Sequence, residues 1–311
     1  MTQFIAIDIG GTQMRAACYP NGSLTPIKAL RITTYGDRET PLDRLVQLIQ
    51  SVWPVDGKVA AMAAVAPGPV DPYEGVVVRA PNIPEWLDLP LRRHLEDIFH
   101  IPVVIGNDAN LAALGEWKFG AGKGHHHMMY FTVSTGIGGG VIADDRLVLG
   151  VRGLATELGH VVVLPDGPAC SCGQRGHLEA VAAGPAIARW TEQQIQAGSV
   201  SSLPAGTLTA RQIAQAANQG DDLAIAAFAR SGRFLGWAIA DYLHIFNPSA
   251  VIIGGGVSRS GALLFEPLKA AMAERVINPG YLDNLHLAPA ALGDNVGLLG
   301  ALALAQNTIS V

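Results

Sequence analysis

Between Gly153 and Glu179 the chain reads GLATELGHVVVLPDGPACSCGQRGHLE, a stretch holding His160, Cys170, Cys172 and His177. Imidazole nitrogens and thiolates are the ligands that zinc takes in a closed tetrahedral site. The protein has three cysteines, Cys18, Cys170 and Cys172, so two fall in one CxC. Cysteines that close rarely reach bridging geometry, whereas both sulfurs can face one metal from a turn, and Gly173 and Gly176 suit such a turn. Glu157 precedes His160 by three residues and Glu179 follows His177 by two. An imidazole that ligates through one nitrogen keeps the other for a hydrogen bond. The expectation is a structural Zn²⁺ that braces a polar pocket and leaves no coordination position open.

Three glycine-rich turns offer a second kind of chemistry. Asp8-Ile9-Gly10-Gly11-Thr12 ends an apolar run, and glycines there let backbone amides approach an anion with no Cβ in the way. Thr12 adds a hydroxyl donor, and Asp8 is placed to hold a hydrated Mg²⁺; an ordinary hairpin turn is the alternative. Thr135-Gly136-Ile137-Gly138-Gly139-Gly140 joins two apolar segments, so it reads as a second phosphate-cradling hairpin and not as a dinucleotide fingerprint. Gly254-Gly255-Gly256 follows a buried strand and opens a helix, an order that suits a nucleotide's sugar and base. Lys123 in GAGKGH makes no P-loop, because glycine follows where a hydroxyl should hold Mg²⁺.

The elements that must position these residues alternate between strand and helix. Buried strands are predicted over 4–9, 14–19, 58–66, 101–105, 128–134, 141–143 and 250–253, from continuous apolar runs. Helices are predicted over 41–52, 91–99, 111–118, 180–197, 209–218, 221–246, 263–275 and 297–306, with a kink or restart at Gly184-Pro185 and N-caps at Thr209 and Asp221. Pro67-Gly68-Pro69-Val70-Asp71 is a rigid turn at a strand's C-terminal end, where open α/β sheets bind ligands. Asn82, in an irregular segment, either contacts a hydroxyl or caps a turn. Asp108, between strand and helix, either caps the helix or faces a cleft. Gly120–Gly124 and His125-His126-His127 read as a linker and a solvated loop.

At 311 residues, 49% of them hydrophobic and 15% charged, the chain can bury two domain cores and is not disordered. A net charge of −5 and a pI near 6.0 give no reason to expect nucleic acid as a partner. The start MTQFIAIDIGGT lacks the pattern of a signal peptide, and no apolar run is long enough to span a bilayer. With two cysteines assigned to a metal, the expected location is the reducing cytoplasm, with no membrane partner.

Asp8–Thr12, Ser134-Thr135-Gly136 and Gly254–Gly256 together resemble the phosphate and nucleotide loops of the actin-like sugar kinases. The segment GHVVVLPDGPACSCGQRGHLEAVAAGPAIA is similar to the signature of the ROK family, which joins bacterial sugar kinases and sugar-responsive repressors. The resemblance runs along essentially the whole chain. It implies an α/β, two-domain actin-like ATPase (ribonuclease H-like) fold with an inter-domain cleft. The smaller domain would span 1–118, joined by the last helix at about 295–311, and the larger one 119–294.

By this resemblance Asp108 matches the family's general base, while Asn107, Glu157, His160 and Glu179 match its sugar contacts. Gly68 and Asn82 lie in segments like those lining the sugar pocket. The zinc ligands map onto His160, Cys170, Cys172 and position 177, where this chain has histidine and the family usually has cysteine. The implied reaction is transfer of the γ-phosphate of ATP, with Mg²⁺, to a hexose hydroxyl. Glucose is the first expectation, from similarity around 155–160; N-acetylmannosamine, N-acetylglucosamine, mannose and fructose are the alternatives. A homo-oligomer, dimer or tetramer, is implied as well. A repressor of the family would carry a helix-turn-helix ahead of the DxGGT strand, which here begins at residue 4. A dehydrogenase built on Gly254–Gly256 would leave the metal stretch unexplained.

Overall fold

The computed structural model describes residues 2–309. They divide into two compact units: Met1–Gly124 with Arg146–Thr156 and Ala291–Val311, and His125–Asp145 with Glu157–Ala290. Relative to limits drawn from linkers along the chain, residues 119–124, 146–156 and 291–294 lie with the first unit.

The first unit is built on a five-stranded sheet of order β3-β2-β1-β4-β8, comprising β1 (Thr2–Ile9), β2 (Gln13–Pro20), β3 (Lys28–Thr33), β4 (Lys58–Ala66) and β8 (Val103–Asn107). Strands β1, β4 and β8 run parallel, and β2 and β3 antiparallel. Because side chains alternate across a strand, β1 feeds two cores. Ile5, Ile7 and Ile9 pack with Leu45, Leu48 and Ile49 of α1 (Pro41–Val52) and Leu91 and Leu95 of α2 (Leu91–Phe99). Phe4 and Ala6 face Leu111 and Leu114 of α3 (Asp108–Phe119) and Leu298 and Leu302 of α9 (Val296–Asn307). Helix α1 starts where Thr40 and Asp43 close a capping box with Pro41 in the first turn. Gly115 and Gly300 let α3 and α9 cross closely, since a Cβ on Gly300 would lie 2.0 Å from the Leu111 carbonyl oxygen.

Two features of this unit escape an apolar pattern. Strand β3 is an edge strand with five of its six residues exposed, so it shows no buried face. A small antiparallel sheet of β5 (Val70–Asp71), β6 (Val76–Arg79) and β7 (Leu87–Leu89) has strands too short to carry a period.

The buried Glu116 of α3 is a third surprise. Its carboxylate accepts the backbone N–H groups of Ala121 at 2.8 Å, Ala291 at 3.1 Å and Leu292 at 2.8 Å, tying two distant stretches of chain to one helix. The stretch 146–156 holds a two-residue strand, β11 (Arg146–Leu147).

In the second unit β9 (Met128–Val133) and β10 (Ile137–Ala143) form a hairpin, and β12 (Ala250–Gly254) and β13 (His286–Pro289) extend it in parallel. The predicted helix over 180–197 is in fact two, α4 (Leu178–Ala182) and α5 (Gly184–Gln196), a restart at Gly184-Pro185. Ala183 between them is extended, as the missing Pro185 N–H allows. Helices α6 (Ala210–Asn218) and α7 (Asp222–Phe246) begin at side-chain caps from Thr209 and Asp221. Gly232 and Gly236 let α7 pack tightly on α8 (Ala262–Arg275).

The histidine run lies in the exposed loop expected of it, with the His126 side chain 74% exposed. His125 Nδ1 lies 2.8 Å from Ser249 Oγ, and His126 Nδ1 2.8 Å from Asp145 Oδ2, so the rings knit the loop to its neighbours.

Candidate active site

In the first unit the expected residues gather at the C-terminal tips of the parallel strands. Register aligns Asp8 of β1 with Val65 of β4, and Ala66 of β4 with Asn107 of β8. Helix α3 begins at Asp108, three residues earlier than expected, because the Asn107 side chain is the cap: its Oδ1 accepts the Asn110 N–H at 2.8 Å. The capping role open to Asp108 thus belongs to Asn107. Asp108 is exposed to solvent. Its carboxyl is nevertheless pushed up, first by the desolvating mass of protein around it and further by the negative charge of Asp8, against the opposing Ala109 N–H.

Asp8 itself is paired. Arg15 Nε donates to its Oδ2 at 3.1 Å, and Arg15 Nη2 donates to the same oxygen. A cation at Asp8 would therefore be held through Oδ1. No motif announced Arg15; the antiparallel register that sets it opposite Asp8 did.

Gly10, Gly11 and Thr12 form the turn between β1 and β2, with the Gly10 N–H donating to the Gln13 carbonyl at 2.9 Å. A Cβ on Gly11 would lie 2.2 Å from the Asn82 Cβ, so Asn82 backs this turn. Gly68, at φ +82°, packs against the Arg79 carbonyl and the Pro81 ring, which brings the Gly68 and Asn82 segments together.

In the second unit the four metal-type ligands converge, with ligand atoms all within 4.8 Å of one another; among the described residues this is the one such group found. His160 Nδ1 and His177 Nδ1 are 3.3 Å apart, Cys170 Sγ is 3.7 Å from His160 Nδ1, and Cys172 Sγ is 3.3 Å from His177 Nδ1. Tetrahedral zinc with ordinary Zn–N and Zn–S bonds spaces its ligands about 3.3–3.8 Å apart, so the donor set fits the ion in type, number and separation. Burial, the largest influence, and the Glu179 charge push the Cys170 thiol up, so a thiolate there needs a cation to stabilise it. Gly173 and Gly176 have φ of +93° and +70°, as the turn requires.

His160 offers Nδ1 to this group and turns Nε2 toward Glu157, 3.9 Å from its Oε2. The 3-10 turn Leu158–His160 is fixed by the Tyr242 hydroxyl, which donates to the Leu158 carbonyl at 2.7 Å, and by Gly159 lying flat on the Ile137 carbonyl. Glu179 accepts from Ser171 Oγ at 2.8 Å and from the Ile137 N–H at 3.0 Å. A Cβ on Gly136 would come within 2.5 Å of the same carboxylate. The Thr135-Gly136 turn and the loop of metal-type ligands are thus one structure.

A cavity of about 710 Å³ opens in this unit, lined by Ser134, Thr135, Gly256, Arg189, Glu192 and Arg211 among others. Its size is that of a cofactor site. Two of the three expected nucleotide loops meet there. Gly255, at φ +87°, turns β12 so closely past β9 that a Cβ would lie 2.3 Å from the Val133 carbonyl oxygen. The walls from α5 and α6 were not foreseen, because Arg189, Glu192 and Arg211 carry no local motif.

The ROK family model matches residues 4–308. The glucokinase of Thermotoga maritima is 37% identical over 99% of this chain and 98% of its own. A ROK hexokinase from Thermus thermophilus superposes with a TM-score of 0.84 at 32% identity, covering 99% of each chain. A ROK glucokinase from Streptomyces griseus, solved with glucose and AMPPNP, gives a TM-score of 0.79 at 34% identity over 98% of this chain and 99% of the other.

Proposed function

The chain belongs to the ROK family, and from that premise we propose that it is an ATP-dependent hexokinase that moves the γ-phosphoryl group to a hydroxyl of glucose. The observation that carries this reading is Asp108, a carboxylate at a strand tip, relieved of capping by Asn107 and raised in proton affinity. A base works best when its pKa approaches the working pH, and a positioned one contributes roughly 10²–10⁴-fold. Asp108 takes the proton of the attacking hydroxyl. Asn107, Glu157, His160 and Glu179, with Gly68 and Asn82, hold the sugar.

The nucleotide lies along Thr135, Gly136 and Gly254–Gly256, and the 710 Å³ cavity beside Ser134 and Gly256 receives its base and ribose. Gly10, Gly11 and Thr12 present amides and a hydroxyl to the phosphates. Asp8 would hold the Mg²⁺, which would neutralise phosphate charge, and alignment with charge neutralisation supplies most of the remaining acceleration. His160, Cys170, Cys172 and His177 hold one zinc, whose contribution is structural: it fixes the loop that carries Glu179 and the Nε2 face of His160. Glucose is preferred over other hexoses by this reading, which also makes the protein a homo-oligomer.

A coupled ADP assay across glucose, mannose, fructose, N-acetylglucosamine and N-acetylmannosamine tests the proposal. Glucose should give the highest kcat/KM. A higher value for another hexose would reassign the substrate, and no turnover with any would remove the kinase reading.

A further inference from the structure

Thr156 stands in the left-handed region, at φ +67°. Glycine occupies that region freely, while a β-branched residue there is an outlier that surrounding structure must hold in place. What holds it is visible. Thr156 Oγ1 donates to Asn110 Oδ1 at 3.1 Å, and Asn110, buried at 2% exposure, gives its own N–H to the Asn107 cap at 2.8 Å. The next residue is Glu157, whose carbonyl accepts the His160 N–H at 3.0 Å and so begins the turn that ends on a metal-type ligand. One continuous set of bonds therefore runs from the cap that frees Asp108, through Asn110, to Thr156, the residue before Glu157.

Strained backbone retained at such a place points to function. We propose that Thr156 is a positioning residue for the sugar: its hydroxyl, bonded to Asn110, sets the direction in which the chain enters Glu157. This rests on the sugar-kinase reading above. Thr156 touches no reacting atom in this scheme, and it acts through Asn110 and Glu157.

Strain and positioning can be separated by mutation. Thr156→Gly removes both the strained Cβ and the hydroxyl. KM for glucose should rise about fivefold to tenfold, the size of one lost hydrogen bond, with KM for ATP unchanged. Thr156→Ser keeps the hydroxyl and should hold glucose KM within about twofold of the original. A Thr156→Gly enzyme with the original glucose KM overturns the inference, as does a raised KM that Thr156→Ser shares. If the unmodified enzyme phosphorylates no hexose, the kinase reading fails and this inference falls with it; a working enzyme indifferent to Thr156→Gly sinks the inference alone.

Discussion

The Asn107 amide oxygen accepts the Asn110 N–H at 2.8 Å, and this bond gives the cap of α3 to Asn107 and not to Asp108. With the cap taken by its neighbour, the Asp108 carboxylate is available to a substrate hydroxyl. Asp108→Asn should lower kcat by at least about 10²-fold while glucose binding, measured by calorimetry, changes little. Near-normal turnover would take the base role away from Asp108.

The raised pKa of Asp108 makes two signed statements about pH. The base must be ionised, so kcat/KM falls as pH drops through its folded pKa, and the acid limb should lie above the ordinary aspartate range. Because Asp8 contributes to the rise, the residual activity of Asp8→Asn should show an acid limb at lower pH. For stability the sign is opposite. A raised folded pKa contributes stability that is present below the unfolded value and lost as pH rises through the folded one. Above its folded pKa the ionised group is then a net cost, and at such pH Asp108→Asn should melt higher than the original protein. An unchanged acid limb in Asp8→Asn, or a lower melting temperature for Asp108→Asn, would contradict this account.

Metal analysis of the purified protein should give about one zinc per chain. Cys172→Ala should lose the zinc and weaken glucose binding, because Glu179 and His160 share the braced loop. His177→Cys should keep the metal, since zinc accepts thiolate or imidazole at that separation. Full activity in a preparation freed of all metal except added Mg²⁺ would dispose of the brace.

Gly255→Ala should raise KM for ATP more than KM for glucose and lower the melting temperature. An L side chain at φ +87° costs about 1–2 kcal/mol before any clash, and the new Cβ would be driven into the Val133 carbonyl at 2.3 Å. A variant whose ATP kinetics match the original would place the nucleotide elsewhere.

Local signals read well wherever the physics is local. The limits of α1 and α2 follow from a capping box and from an amphipathic stripe, and β4 from an unbroken apolar run. Strand β3 and the small sheet of β5, β6 and β7 were silent, since exposed edges and strands of two to four residues leave no periodic trace. The change of cap from Asp108 to Asn107 was also silent: both residues are good caps, and only the backbone path out of β8 chooses between them.

The CxC and its two histidines lie close along the chain, so their types and spacing alone pointed to the cluster of metal-type ligands. Tertiary structure alone brought Arg15 onto Asp8, set Arg189 and Arg211 in the wall of a cavity, and bent Thr156 into a left-handed turn against Asn110. Each of those depends on chain segments separated in sequence meeting in space. Burial, charge pairing and strain come into being only at that meeting, and no residue carries them by itself.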